Sequence, residues 1–151
     1  MGVRVRLMPI LLLAAILAGG TEAAEDDIGQ IKTLSGGVVL MRAGSGDWAK
    51  IGDRVRQKDI VSTGQEGTVG ITFVDGSSVS LGPDSVLSLD RFRFDATTHE
   101  GVFDTSLKRG TLAVRSGQIV KERPEAMTVT TPAAILGVRG TDLVVRSATG
   151  Q

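Results

Sequence analysis

Apolar and polar residues alternate through the middle of the chain, between Gly67 and Phe94. The alternation forms three short runs at residues 69–73, 79–81 and 87–89, each with an apolar side chain at every second position. A period of two places those side chains on one face of a β-strand. Asp75-Gly76 and Gly82-Pro83-Asp84 separate the runs, and these residue types favour turns. The pattern predicts strands joined by turns, with Asp75-Gly76 forming either a two-residue hairpin or a corner of a coiled β architecture.

The alternation changes parity at the end of this stretch. Leu87 and Leu89 have odd numbers, whereas Phe92 and Phe94 have even numbers. All four side chains can lie on the buried face only if an extra residue interrupts the strand pairing. The sequence therefore predicts a bend or bulge near residues 90–91.

The rest of the chain extends this pattern. We expect two strands around Gly36-Gly37, a loop at residues 44–47, and two more strands, 102–107 and 111–115, around a turn at residues 108–110. Residues 116–118 are predicted to form a turn, and residues 119–124 lead into a loop. No segment after residue 24 is predicted to be helical. Sparse aromatic residues (3%) and 20 glycines suit many short strands. The predicted fold class is all-β, with roughly ten short strands.

The first 24 residues differ from the rest. Arg4 and Arg6 precede an apolar stretch at residues 7–17, and small or polar residues follow. This is the layout of a helical secretory signal peptide. We expect cleavage after Ala23 or Ala24, although an uncleaved membrane anchor is the alternative. Gly20 stands where a lipoprotein would need cysteine, so the predicted product is a periplasmic or secreted domain of residues 25–151 that is not lipid-anchored.

Composition narrows the possible functions. The chain has 17 basic and 17 acidic residues and no cysteine. Balanced charge gives no general attraction to nucleic acid or anionic membranes, so we expect no nucleic-acid partner and no membrane contact beyond the signal peptide. The absence of cysteine excludes disulfides, thiolate metal sites and cysteine nucleophiles.

No motif in the sequence indicates catalysis. The chain has one histidine, His99, which lies in a polar segment, so neither a serine triad nor a histidine metal site is predicted. Aspartates recur at expected turns, where their side chains bond to their own backbone; they are Asp53, Asp59, Asp75 and Asp84. No carboxylate pair stands out for glycoside hydrolysis. We therefore expect no enzymatic activity, metal or cofactor, with a glycan hydrolase as a remote alternative.

Trp48 is the single tryptophan and follows a glycine-rich segment. Two interpretations stay open from the sequence. The indole either covers the edge of a small core or offers a flat platform on which a sugar ring stacks.

A series of short motifs resembles the FecR-like domain family. The motifs are Ile51-Gly52-Asp53, Lys58-Asp59-Ile60-Val61-Ser62-Thr63-Gly64, Phe73-Val74-Asp75-Gly76-Ser77, Pro83-Asp84-Ser85, Gly110-Thr111-Leu112, and Thr131-Pro132 through Gly137-Val138-Arg139-Gly140-Thr141. Together they cover nearly all of the chain after the signal peptide. The residues assigned to the family signature, structural or interacting, are Gly52, Asp53, Asp59, Thr63, Gly64, Asp75, Gly76, Ser77, Thr131, Pro132, Gly137, Arg139, Gly140 and Thr141.

The resemblance implies a twisted β-solenoid or a compact β-sandwich. It also implies a periplasmic sensor that, in regulatory members, detects the occupied state of an outer-membrane iron-siderophore transporter and signals to a cytoplasmic anti-sigma segment. This chain departs from that layout, since a signal peptide replaces the cytoplasmic segment and membrane helix, and the sequence ends at Gln151. We expect either a stand-alone member or a truncated reading frame. Lys58 also replaces the usual glycine before the aspartate.

The leading functional hypothesis is a non-catalytic sensing or interaction module for an envelope protein or surface ligand, with a role in signal transduction. The alternative is a structural β-module of a surface adhesion or polysaccharide-export assembly. Gly137 and Gly140 are expected to permit a tight corner or close backbone approach. Arg139 either bonds to carbonyl groups within the fold, which we favour, or recognises a partner's carboxylate.

Overall fold

The computed structural model describes Gly2 and residues 26–140 and 142–148. The predicted signal peptide at residues 1–24 and the signature residue Thr141 lie outside this described part, apart from Gly2. The elements are β1 (Asp27–Ser35), β2 (Val38–Arg42), β3 (Ser45–Trp48), β4 (Arg54–Arg56), β5 (Ile60–Thr63), β6 (Thr68–Phe73), β7 (Ser78–Leu81), β8 (Val86–Phe94), β9 (Gly101–Arg115), α1 (Gln118–Glu122), β10 (Met127–Thr130), β11 (Ile135–Gly137) and β12 (Asp142–Ser147). The described residues are mostly β, as predicted, with one short helix in addition. The resemblance implies a twisted β-solenoid or a compact β-sandwich, whereas the described strands form one open sheet.

The strands form one curled, open sheet with the shape of a half-barrel. One side, which we call the β1 wall, contains β4, β1, β6, β7, the second part of β9, and β12 in that order. The other side, the β2 wall, contains β3, β2, β5, β8, the first part of β9, β10 and β11. The architecture is therefore a continuous sheet that β9 carries from one wall to the other.

The core lies between the two walls. Phe73 of β6 stacks on Phe92 of β8, with ring centroids 5.6 Å apart, and meets the edge of Phe103 of β9 at 4.5 Å. All three rings are buried, and burial of each stabilises the fold by about 1.5–3 kcal/mol. The alternating side chains of the central runs, among them Ile71 and Leu87, fill the space around these rings.

The predicted bulge is confirmed at Leu89–Arg91, where the register between β8 and β9 shifts. The shift keeps Leu89 and Phe92 on the buried face despite their different parity, as the pleat requires. Phe94 is half-buried and packs against the core. The Asp75-Gly76 turn does join two antiparallel strands, β6 and β7.

Three local predictions are wrong. Residues 44–47, expected as a loop, lie largely in β3, because edge pairing with β2 uses backbone bonds and needs no apolar side chains. The two strands expected around residues 108–110 are one strand, β9, because Gly110 adopts a φ of 96° that carries the chain through the bend. Residues expected as a turn and loop include helix α1, whose Ile119 and Val120 are buried.

The described residues contain no helix with the length and hydropathy that crossing a membrane requires.

Candidate functional site

The signature residues fall into two groups in the fold. The first group, residues 52–77, forms turns around the core. The second group, residues 131–140, contains the turn between β10 and β11, strand β11 and the residues that follow it, at the end of the β2 wall. We call these the turn group and the signature hairpin. The groups differ in whether their polar atoms find partners inside the protein.

Asp59 is one of two almost fully buried carboxylates in the turn group, since Asp59 and Asp75 are each 1% exposed. The guanidinium of Arg42 donates two hydrogen bonds to its carboxylate, at 2.9 and 2.7 Å, and the backbone N–H of Arg56 donates a third at 2.8 Å. A paired fork of this kind is among the stronger protein hydrogen-bond arrangements. Asp59 therefore ties β2 to the β4–β5 turn.

Lys58, next to Asp59, occupies a left-handed backbone conformation with a φ of 71°. Glycine adopts this conformation without strain, whereas a side chain carries a cost. This accounts physically for the glycine that the FecR-like pattern usually has at this position.

Thr63 is buried, and its hydroxyl links the end of β5 to the turn at residues 82–85. Its Oγ1 donates to the carbonyl of Gly82 at 2.7 Å and accepts the backbone N–H of Ser85 at 2.9 Å. The backbone N–H of Gly64 donates to the carbonyl of Gly37 at 2.9 Å. These bonds hold the β5–β6 connection against the turn that precedes β8.

Asp75 and Ser77 close the hairpin between β6 and β7, and both are buried. The carboxylate of Asp75 accepts the backbone N–H of Ser77 at 3.0 Å and its hydroxyl at 2.5 Å. Gly76 supplies a φ of 82°, which gives a three-residue loop rather than the two-residue loop expected.

Gly52 and Asp53 form the remaining turn of this group. Gly52 has a φ of 97°, and the Asp53 carboxylate accepts the backbone N–H of Lys50 at 2.8 Å. In each of these turns, the aspartate carboxylate accepts a hydrogen bond from a neighbouring backbone N–H.

The signature hairpin begins with Thr131, whose Oγ1 accepts the N–H of Ala134 at 3.1 Å. Pro132 is exposed at the tip. Thr131 therefore closes the hairpin turn and leaves the tip in solvent.

Alternate residues of the hairpin's second strand face outward. Ile135 is 74% exposed, Gly137 and Arg139 are also exposed, whereas Leu136 is half-buried and Val138 is buried. Arg139 is the single charged residue between Met127 and Gly140. Within the described part of the chain, the Arg139 side chain makes neither a hydrogen bond nor an ion pair. The carbonyl contact that we favoured from the sequence is therefore missing from this part of the chain.

The two glycines of the hairpin differ. Gly140 has a φ of 107°, and the hydroxyl of Ser116 donates to its carbonyl. Gly137 does not have a left-handed φ, and a Cβ added there would meet nothing within 4 Å. The fold therefore needs glycine at position 140 but leaves open space beside Gly137.

Trp48 does not cover the core, because 72% of its surface is exposed. It lies on the edge strand β3, and a Cβ added at Gly37 would be 3.4 Å from its ring. The packing interpretation of Trp48 is wrong, and the ring is available to solvent.

Among the described residues, no three histidine, cysteine or carboxylate side chains gather into a metal-binding group. The pKa of Asp95 is lowered because the backbone N–H groups of Thr98 and Thr97 donate to its carboxylate, with a smaller contribution from His99. Asp95 thus stabilises the loop between β8 and β9.

Two residues of these sites were missed from the sequence. Arg42 lacks any local signal that links it to Asp59, 17 positions away. Ile135 has a signal, because Ile135 and Leu136 are adjacent and successive side chains of a strand point to opposite faces of the sheet.

Comparison with known families identifies the larger, C-terminal part of the chain. A family model described as FecR protein matches residues 59–151. No curated protein and no solved structure matches the chain. The matched segment begins at Asp59, so Gly52, Asp53 and Trp48 precede it. Because the match covers more than half of the chain, this protein belongs to the FecR family.

Proposed function

We propose that this FecR domain is a non-catalytic sensing and interaction module, and that the outward side of its signature hairpin contacts an envelope protein or surface ligand. Membership of FecR, a regulatory signalling family, supports a sensing role. The signal-peptide pattern of residues 1–24 supports a periplasmic or secreted location.

The observation that carries the proposal is the outward face of Ile135, Gly137 and Arg139. An exposed apolar side chain and an open space lie on β11, and a guanidinium without a partner in the described residues follows two positions after the strand ends. Apolar anchors beside an arginine are typical of the energetic centres of protein interfaces. The guanidinium matches a carboxylate, so the expected partner surface combines apolar area with an acidic residue.

Gly137 adds a second argument. Neither the backbone conformation nor a neighbouring atom requires glycine at position 137, because its φ is not left-handed and an added Cβ would have no atom within 4 Å. A partner backbone that approaches closely would use the space that a Cβ would fill. We therefore expect Gly137→Ala to weaken binding without weakening the fold.

Site-specific photo-crosslinking tests the proposal. A photoreactive amino acid replaces Ile135 in the tagged full chain, which is expressed in its native cells. Val74 provides the control, because it is also exposed, at 58%, but lies in the β6–β7 loop. We expect a specific envelope protein to be captured from position 135 and not from position 74.

Substitutions then separate recognition from folding. Arg139→Ala and Gly137→Ala should each reduce capture at least several-fold, while Arg139→Lys, which keeps the charge but loses the planar fork, should reduce it less than Arg139→Ala. Equal capture from positions 135 and 74, or capture that is unaffected by Arg139→Ala, would contradict the proposal.

A further inference from the structure

Strand β12 leaves a sheet edge open. It pairs with β9 on one side, and no other described strand pairs with it. β12 has six residues, whereas the other edge strands, β3, β4 and β11, have four, three and three. A long edge presents unpaired N–H and C=O groups and can accept another strand.

The side chains of β12 follow a regular pattern. Asp142, Val144 and Arg146 are exposed, while Leu143 is half-buried and Val145 is buried. Val144, at 66% exposure, is one of the more exposed large apolar residues. The outward row of β12 therefore consists of an acidic, an apolar and a basic side chain in that order.

This row is complementary to itself in the antiparallel direction. If a two-fold axis passes through Val144, Val144 lies opposite its own copy, and Asp142 of each chain lies opposite Arg146 of the other. Leu143 then lies opposite Val145, so both inward positions stay apolar. Residues directly opposite in an antiparallel pair share a face, and this register keeps each outward side chain on the outward face.

The charges of β12 favour this arrangement. Arg146 makes no ion pair within residues 26–140 and 142–148, and Asp142 meets Arg115 at 3.2 Å in an exposed pair. Such exposed pairs contribute little, so the Asp142 carboxylate is available to a second arginine. Edge strand β4 is the opposite case, because the same operation about Val55 would place Arg54 opposite Arg56, and like charges repel.

We propose that two copies of this chain associate by antiparallel pairing of their β12 strands, which joins the two β1 walls into a single sheet. The partner is a second copy because the outward charges and the apolar positions of β12 are both matched when the strand meets itself in this register. Pairing through a single edge gives a small interface, below the roughly 1,200 Å² of standard protein complexes. The dimer should therefore be weak, with a dissociation constant in the micromolar range.

Charge exchange tests the pairing. Arg146→Asp makes the outward row doubly acidic and Asp142→Arg makes it doubly basic, so each variant alone should dimerise at least about 10-fold more weakly than the unmodified protein. An equimolar mixture should recover association, because the acidic row of one variant faces the basic row of the other. Sedimentation velocity across a concentration series measures all four samples. Rescue in the mixture also shows that both variants are folded.

A covalent test places the two-fold axis. The chain has no cysteine, so Val144→Cys introduces a single thiol that would face its own copy across the axis. Mild oxidation should cross-link this variant at least several-fold faster than Val74→Cys, in which the thiol is also exposed but lies away from β12. Three results would each overturn the proposal: an unmodified protein that stays monomeric at high concentration, a mixture that does not associate, or equal cross-linking of the two thiol variants.

Discussion

The turn group and the signature hairpin belong to one family pattern but differ in burial and in hydrogen bonding. In the turn group, Asp59, Thr63 and Asp75 are buried, and each has hydrogen-bond partners that come from its own chain. In the hairpin, Ile135 and Arg139 are exposed, and Arg139 has no partner in the described residues. The difference teaches that a residue typical of a family is not by that fact a contact residue. Buried polar atoms with partners inside the protein have a role in folding, whereas exposed residues without such partners are the candidates for the proposed contact.

The largest expected effect comes from Asp59. Asp59→Ala removes the acceptor of three hydrogen bonds and leaves Arg42 without its buried counter-charge. Because Arg42 is itself 39% exposed, water partly compensates, and we expect a loss of about 2–3 kcal/mol in the free energy of unfolding. Urea denaturation followed by circular dichroism measures it.

Asp47→Ala is the matched control for Asp59→Ala, since Asp47 is an exposed carboxylate on β3. We expect this control to change stability by less than about 0.5 kcal/mol. Equal effects of the two substitutions would break the distinction between the turn group and surface charges.

A pair of identical substitutions gives the next effect. Thr63→Val removes a hydroxyl that makes two bonds, to Gly82 and from Ser85, and should cost about 1–2 kcal/mol. Thr105→Val removes a buried hydroxyl that has no partner among the described residues, and should be neutral or stabilising by up to about 1 kcal/mol. Thermal denaturation of both variants tests the opposite signs, and destabilisation of similar size in both would contradict the assignment to Thr63.

Backbone conformation predicts two further effects of opposite sign. Lys58→Gly relieves a residue with a φ of 71° and should stabilise the protein by about 0.5–1 kcal/mol, while Gly140→Ala strains a position with a φ of 107° and should cost about 1 kcal/mol. Lys58→Ala is the control, because it removes the side-chain charge but keeps the strain. If Lys58→Ala stabilises as much as Lys58→Gly, the strain is not the cause. Chemical denaturation distinguishes these cases.

The sequence predicts those parts of the fold that local pattern determines. Alternation places Ile71 and Phe92 inside, and the change of parity locates the bulge at Leu89–Arg91 in β8. The sequence does not show that β9 is continuous. Glycine is typical of turns, so residues 108–110 predict a turn, whereas in the structure Gly110 lies within the strand with a φ of 96°. The sequence also cannot link Arg42 to Asp59, since only the tertiary fold brings them together.

The sequence locates the signature hairpin but does not determine the role of its residues. Its motif was evident from the sequence, but the role of Arg139 depends on whether acceptors lie around it, which is a property of the fold. The exposure of Trp48 is a similar case, because the sequence allows both a core-covering and a ligand-stacking role and favours the first, whereas the fold exposes the ring.

The smallest change in stability is expected in the signature hairpin, and it tests the difference between the hairpin and the turn group directly. Gly137→Ala adds a methyl group where no atom lies within 4 Å, and Arg139→Ala removes a side chain without a partner in the described residues. Each should change the free energy of unfolding by less than about 0.5 kcal/mol. Hydrogen exchange at the backbone N–H of Val138, which bonds to the carbonyl of Met127 at 3.0 Å, should stay at its original rate. A loss above about 1 kcal/mol, or faster exchange at Val138, would place these residues with the turn group, as structural residues whose binding effects follow from an altered hairpin.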